Sequence, residues 1–371
     1  MRMLAATGIF HPEPGGPSTY LRAFLPEWQA RGHEAQVLTF GEGPVDIYPY
    51  PVSRVSRRGP YPLRQWRYFE RARQLWPDHN FAFVHSLGVP LPRSLHPRVG
   101  KVVGDQAWER AMNRSWVPPD TDVDDFQTAS YQNPLIDVSR RIRSRRAQNY
   151  DHVIVPSEYL KRMVQGWGVP EERITVIYNA LNHGGESVAG AHLPEGFPAS
   201  EGPVVLAVAR FTPWKNLHMI IQAVARLPDV TLIIAGDGPL HASLVAQIEQ
   251  HALGERVHLV GRIPREYMPG VYQSVDMTVL YSSYEGLSHV LLESLQAGTP
   301  VVASDKGGNP EVVRHEENGL LVPYPSVEAL TVSIQQALDQ HDRLAAGTHI
   351  GMERFSWEHM VEQTIALLEQ F

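Results

Sequence analysis

Between residues 275 and 304 the sequence leaves room for one kind of local structure. Residues 275–280, Val-Asp-Met-Thr-Val-Leu, are apolar and β-branched enough for a buried strand. Gly286 allows a sharp turn, Ser288 can cap a helix running to about Ala297, and Gly298-Thr299-Pro300 stops that helix. Val301-Val302-Ala303 then begins a second buried strand. Strand, turn, helix, turn, strand is the unit from which a parallel sheet covered by helices is built. A helix opening beside a glycine turn at a strand's carboxyl end leaves backbone N–H groups free, which suits a phosphate. Glu285 stands at the lip of this opening and Glu293 two turns inside it.

The same alternation extends both ways. In the front half it predicts strands over 3–7, 34–39, 83–85, 101–103, 152–156 and 174–177. In the back half it predicts strands over 204–209, 231–235 and 257–260, with helices from about 217 to 227 and from about 241. Residues 184–200 are rich in Gly, Pro and Ser and read as a linker. The expected division is therefore a domain over 1–183, the linker, and a domain over 201–350. A terminal helix over 351–371 follows the second domain's core pattern, with a crossing back to the N-terminal domain as the alternative.

A chain of 371 residues with 43% apolar and 20% charged residues is of ordinary globular composition. Its longest apolar runs, such as 204–209, are too short to span a bilayer. The start resembles a signal peptide until His11, Pro12 and Glu13 end its apolar run, so a first buried strand is expected. The absence of cysteine excludes disulfides, thiolate zinc and a cysteine nucleophile, and agrees with the expected cytoplasmic location. Charge is uneven. Residues 1–183 hold 23 Lys/Arg against 18 Asp/Glu, the remainder 10 against 22, for a net −7. The front half would therefore approach an anionic partner more readily.

A pair of glutamates eight residues apart carries nothing alone, since 40 acidic residues in 371 make several such pairs. Set between Leu291, Leu292 and Leu295, and followed by Gly-Thr-Pro-Val-Val, the segment resembles the donor-binding signature of the retaining, GT-B-fold glycosyltransferases of family 4. The resemblance covers nearly the whole chain. His11-Pro12-Glu13-Pro14-Gly15-Gly16 is similar to the family's opening; Arg210 with Lys215-Asn216 matches its basic pair; 233–239 and Val260-Gly261-Arg262 match strand ends around the nucleotide. It implies an α/β GT-B fold, two Rossmann-like domains facing each other across a cleft, with the acceptor on the N-terminal side and the donor on the C-terminal side. It implies a hexosyltransferase that uses a nucleotide diphosphate sugar and retains the anomeric configuration.

Each residue role then has a physical reason. Arg210 and Lys215 follow a buried strand, where two cations would stabilise charge developing on a departing diphosphate. Gly15 and Gly16 would let backbone amides approach that diphosphate. By resemblance, Glu285 contacts sugar hydroxyls, and Gly286, Leu287 and Ser288 offer N–H groups to sugar and phosphate. Glu293 would bind the ribose, because a carboxylate accepts two hydrogen bonds from neighbouring hydroxyls. Arg262 lies beside the base or in a structural ion pair. His85-Ser86 and Gly104-Asp105 end two front-domain strands, where open α/β sheets form clefts. Many family members have a histidine near Asp105; Asp105 is taken as the candidate base or acceptor anchor, a turn or cap residue being the alternative.

No metal and no cofactor are expected. Asp122, Asp124 and Asp125 lie in a Pro-rich loop without strand-end alternation, and the 17 histidines are scattered. Nucleic acid is not an expected partner of a chain at −7. The expected partners are a sugar nucleotide, with UDP favoured and GDP-mannose second, and a glycan or lipid-linked acceptor, as in polysaccharide biosynthesis. Five arginines in 140–146, and Arg57, Arg58, Arg64, Arg67, Arg71 and Arg73 interleaved with Tyr61, Trp66, Tyr68 and Phe69, read either as solvated helix faces or as a surface for anionic lipid. The rival readings are a sugar-nucleotide epimerase or phosphorylase and a non-catalytic sugar-nucleotide binder. A dehydrogenase is disfavoured because no Gly-x-Gly-x-x-Gly follows the first strand.

Overall fold

The computed structural model describes residues 1–85, 87–181 and 192–371; Ser86 and residues 184–191 of the expected linker lie outside the described residues. Two compact units are present. One comprises Met1–Glu109, Gln132–Tyr178 and Trp357–Phe371, the other Arg110–Tyr131 and Asn179–Ser356.

The first unit holds β1 (Arg2–Thr7), β2 (Glu34–Phe40), β3 (Val52–Val55), β4 (Phe81–His85), β5 (Arg98–Lys101), β6 (His152–Val155) and β7 (Ile174–Val176). They form a seven-stranded sheet in the order β3-β2-β1-β4-β5-β6-β7, parallel throughout. The second unit holds β8 (Val204–Val208), β9 (Thr231–Ala235), β10 (Val257–Gly261), β11 (Met277–Leu280), β12 (Val301–Ser304) and β13 (Gly319–Val322). Their order is β10-β9-β8-β11-β12-β13, again parallel. All five residues of β9 are buried, as a strand covered on both faces requires. Each sheet reverses its strand order once, beside β1 and β4 in the first and beside β8 and β11 in the second. Loops after those strands frame the crevice where open α/β sheets hold ligands.

Three differences from the sequence reading have physical causes. The strand expected at 101–103 runs over Arg98–Lys101, because buried Arg98 and Lys101 interrupt the apolar pattern by which a strand is read. The Arg98 guanidinium is satisfied by the carbonyls of Leu95 and Pro92. Strands β3 and β13 were not expected; each is four residues long and too short to show a period. The helix Trp357–Leu368 buries Met360, Val361, Ile365 and Leu368, and its Thr364 receives the Tyr20 hydroxyl at 3.4 Å. His33 reaches Glu369 at 2.9 Å, so this helix is counted with the first unit.

Candidate functional site

In the second unit, β8 ends in a loop that is shaped from both sides. Phe211 is fully buried and joins the apolar core, while its backbone N–H takes the Asp237 carbonyl at 3.0 Å. Gly236, with φ +138°, passes so close that a Cβ there would stand 1.9 Å from the Ala209 carbonyl oxygen. No other residue fits that approach. The short turn Pro213–Lys215 follows, and Asn216 enters the next helix with φ +48°.

This turn aims Lys215 at the loop after β11. Its Nζ donates to Glu285 Oε1, with the two side chains 18% and 13% exposed. An ammonium carries three N–H donors, so this contact leaves capacity for an anion. Arg210, at the end of β8, is exposed. Ser283 N–H donates to the Trp214 carbonyl at 2.8 Å, which ties the two loops together. The helix His289–Gln296 starts where the sequence predicts: Ser288 Oγ accepts the Leu291 N–H at 3.3 Å, and Leu287 and Ser288 are buried. The opening of this helix carries no acidic side chain in its first turn, which leaves its electrostatic preference for an anion intact.

Glu293 lies within that helix and accepts the Tyr272 hydroxyl at 2.9 Å. Burial, followed by the nearby Glu293 charge, holds the Tyr272 phenol well above the usual range, so it remains the donor. Arg262 is 75% exposed and stands 3.8 Å from Asp237, the ion-pair alternative rather than a closed pocket. The structure thus brings Lys215 and Glu285 into contact, sets Glu293 in the adjoining helix, and leaves Arg210 and Arg262 exposed.

Sequence reasoning missed what braces this site. Gly307 (φ +62°) and Gly308 pack on the backbone of Glu285 and Gly286; a Cβ on either would meet a carbonyl oxygen at 2.4 Å. Gly308 N–H donates to the Glu285 carbonyl at 2.9 Å. The positive φ falls on Gly307, not on Gly286, so the sharp turn expected at Gly286 is supported from a second loop. Gly-Gly at 307–308 was the available signal.

In the first unit, Gly15 (φ +150°) precedes the helix Gly16–Ala30, and a Cβ on Gly16 would meet open space. The helix has no side-chain cap and no acidic residue in its first turn; Pro17 carries no N–H, so Gly16 and buried Ser18 supply the amides at its opening. Asp105 is different. It is fully buried: Oδ1 accepts the N–H groups of Ala107 and Trp108 at 2.8 and 3.2 Å, and Oδ2 receives Arg143. The carboxylate is a helix cap and ion-pair partner, the alternative weighed for it in the sequence, and it is closed to an acceptor. His85 and Lys101 are also buried. Burial pushes Lys101 down to about 7 and His85 well below its ordinary value. The charged run at 140–146 is not uniformly solvated either, since Arg143 turns inward onto the Trp167 ring at 4.3 Å. Among the described residues no group of three His, Asp or Glu stands together as metal ligands, and Asp122 instead caps the helix Val123–Thr128 and pairs with Lys306.

Two family models match. Residues 14–184 fit Glycosyltransferase Family 4 and residues 193–347 fit Glycosyl transferases group 1. The GDP-mannose-dependent α-(1-6)-phosphatidylinositol monomannoside mannosyltransferase of Mycolicibacterium smegmatis is 26% identical over 96% of this chain and 95% of its own length. An uncharacterized glycosyltransferase of Methanocaldococcus jannaschii is 27% identical over 57% of this chain and 58% of its own length. Among solved structures, Anabaena HepE in complex with UDP superposes with a TM-score of 0.75 over 100% of both chains at 20% identity. Sucrose-phosphate synthase from Thermosynechococcus elongatus gives 0.76 over 100% and 99% at 21% identity. With its two parallel α/β units and the Lys215–Glu285 site, the chain has the GT-B fold and belongs to the group 1 glycosyltransferases, family 4.

Proposed function

We propose that this glycosyltransferase moves a hexose from a nucleotide diphosphate sugar to a hydroxyl of a glycan or lipid-linked acceptor, with retention and without a metal. The observation that carries the reading is the Lys215–Glu285 contact beside the opening of the helix His289–Gln296. The diphosphate takes the positive end of that helix and the cations Arg210 and Lys215, which stabilise charge as the glycosidic bond breaks. Gly15 and Gly16, in the first unit, are the proposed donors of backbone amides to a diphosphate. Glu285, Gly286, Leu287 and Ser288 hold the sugar, Glu293 the ribose, and Arg262 the base edge. No enzyme nucleophile stands in this set. The acceptor hydroxyl attacks on the face the diphosphate leaves, and a leaving phosphate oxygen takes its proton.

UDP is the favoured nucleotide, supported by the UDP complex of HepE; the GDP-mannose dependence of the Mycolicibacterium relative keeps that donor second. The test is a thermal-shift titration with UDP-glucose, UDP-galactose and GDP-mannose, since a ligand of the folded state raises Tm. A shift with one donor supports the reading, and no shift with any of them sinks it. Anomeric proton couplings of the product decide retention, and turnover in chelator decides metal independence.

The lipid-linked option is favoured by the helix Tyr61–Leu75. It exposes Tyr61 and Trp66 at 59% each beside Arg67, although Tyr68 is turned into the core. Such a face suits the interfacial zone of an anionic bilayer. Among the described residues no helix is long and apolar enough to cross a membrane. The proposed location is cytoplasmic, peripheral at the inner membrane face, in polysaccharide biosynthesis. Sedimentation with anionic liposomes at low and raised salt checks it; protein remaining in the supernatant at both overturns the membrane contact.

A further inference from the structure

The segment Arg110–Tyr131 comes from the front half of the sequence but is counted with the second unit. Asp122 explains part of that. Its Oδ1 accepts the Asp124 N–H at 2.7 Å and starts the helix Val123–Thr128, while its Oδ2 accepts Lys306 Nζ at 3.2 Å. Lys306 lies between Asp305 and Gly307. On one side, Asp305 accepts the Tyr324 N–H at 3.2 Å. On the other, Gly307 and Gly308 pack against the backbone of Glu285 and Gly286 with no room for a side chain. Both side chains of the ion pair are partly shielded, at 33% and 21% exposure. Asp122 therefore stands at one end of a contact chain whose other end is the Glu285 loop.

We propose that Asp122 and Lys306 are a positioning pair, through which the segment Arg110–Tyr131 fixes the loop that presents Glu285 to the sugar. Neither residue touches the donor. The pair acts by narrowing the conformations open to residues 305–308, and with them those of 282–286. Its consequence for turnover rests on the donor-site reading above; its consequence for the order of the loop does not.

The test separates the two. Asparagine is as good a helix cap as aspartate, so Asp122→Asn removes the ion pair and keeps the helix start. Amide hydrogen exchange is measured on the full chain without ligand. The expected result is exchange about three- to five-fold faster over 282–288, the range for a partly exposed ion pair, with β8 and β9 unchanged. Lys306→Met, which breaks the pair from its other end and leaves the cap untouched, should speed exchange over 282–288 by the same factor, and the double variant Asp122→Asn with Lys306→Met should add nothing further, which a merely misfolded helix would not do. Faster exchange confined to 110–131, or no change anywhere, overturns the proposal. In turnover with the donor that gives the largest thermal shift, Asp122→Asn should raise the donor KM by a similar factor and leave kcat within two-fold. A Glu285→Gln variant that turns over like wild type would sink the donor-site reading while leaving the exchange result standing.

Discussion

Lys101 ends β5 of the first sheet and Lys215 lies in the loop after β8 of the second, and the two are held in opposite ways. Lys101 is 4% exposed, its Nζ lies over the Tyr20 ring at 3.9 Å, and among the described residues it has no hydrogen-bond partner. Losing hydration without gaining a carboxylate disfavours the charged form, which is why its pKa falls to about 7. Lys215 stands against Glu285 and remains partly open. His85 and Asp105 are buried as well, His85 beside Tyr20 and Phe83, and Asp105 as a cap that is also paired with Arg143. Polar side chains at the strand ends of the first unit serve packing. In the second unit Lys215 and Glu285 stay partly exposed, although Ser282 and Ser304 near its strand ends are fully buried. The same sheet position can therefore signal structure or chemistry, and exposure with an opposite charge at hand separates the two.

The sharpest break of that contrast is Asp105→Asn. The cap survives, but Arg143 loses its carboxylate while 6% exposed, and breaking a buried pair costs about 3–5 kcal/mol. Urea unfolding should show this loss, with kcat of the remaining folded protein close to wild type. A collapsed kcat with unchanged stability would return Asp105 to the chemistry. Next, Lys215→Ala should lower kcat a hundredfold or more, about 3 kcal/mol, while nucleotide affinity falls far less. Near-normal turnover would make Lys215 a second Lys101.

The third test is on Lys101 itself. From about 7 up to the ordinary 10.5, the unfolded chain binds a proton that the folded chain does not. Stability should therefore rise with pH across this window by about 1.4 kcal/mol per unit from this group, and be flat below it. Lys101→Met should lose that slope, read as the wild-type minus variant difference in urea midpoints between pH 6 and 9. Parallel curves would mean the lysine is solvated. The smallest effect is expected for Glu293→Ala: about tenfold in donor KM, with 2′-deoxyribose donors losing their disadvantage. A preference that persists in the variant assigns Glu293 to its bond with Tyr272 alone.

How much was legible follows from where partners lie in the chain. The helix opening at Ser288 with Glu285 and Glu293 sits within ten residues, so local pattern carried it. The pairing of Lys215 with Glu285 spans 70 residues, and only the resemblance brought the two together. Nothing local ties Gly307 to Glu285, Tyr272 to Glu293 or Asp122 to Lys306, because these contacts are made by the packing of separate loops. The role of Asp105 stayed open between acceptor anchor and cap for the opposite reason. Its cap is local and was considered, but its burial depends on Arg143, 38 residues away on a helix that looked uniformly solvated.

The chain passes between the two units four times, after residues 109, 131, 178 and 356. Recombination by a single exchange is therefore closed to this architecture. A chimera joined near residue 179 would carry a foreign 110–131 onto the second unit, and would pair a native first sheet with a foreign terminal helix. To exchange the second unit between relatives while keeping the first intact, 110–131 must travel with 179–356 and the last fifteen residues must stay behind. New specificities would then arise more readily by substitution within loops such as 282–288 and 305–308 than by the shuffling of halves.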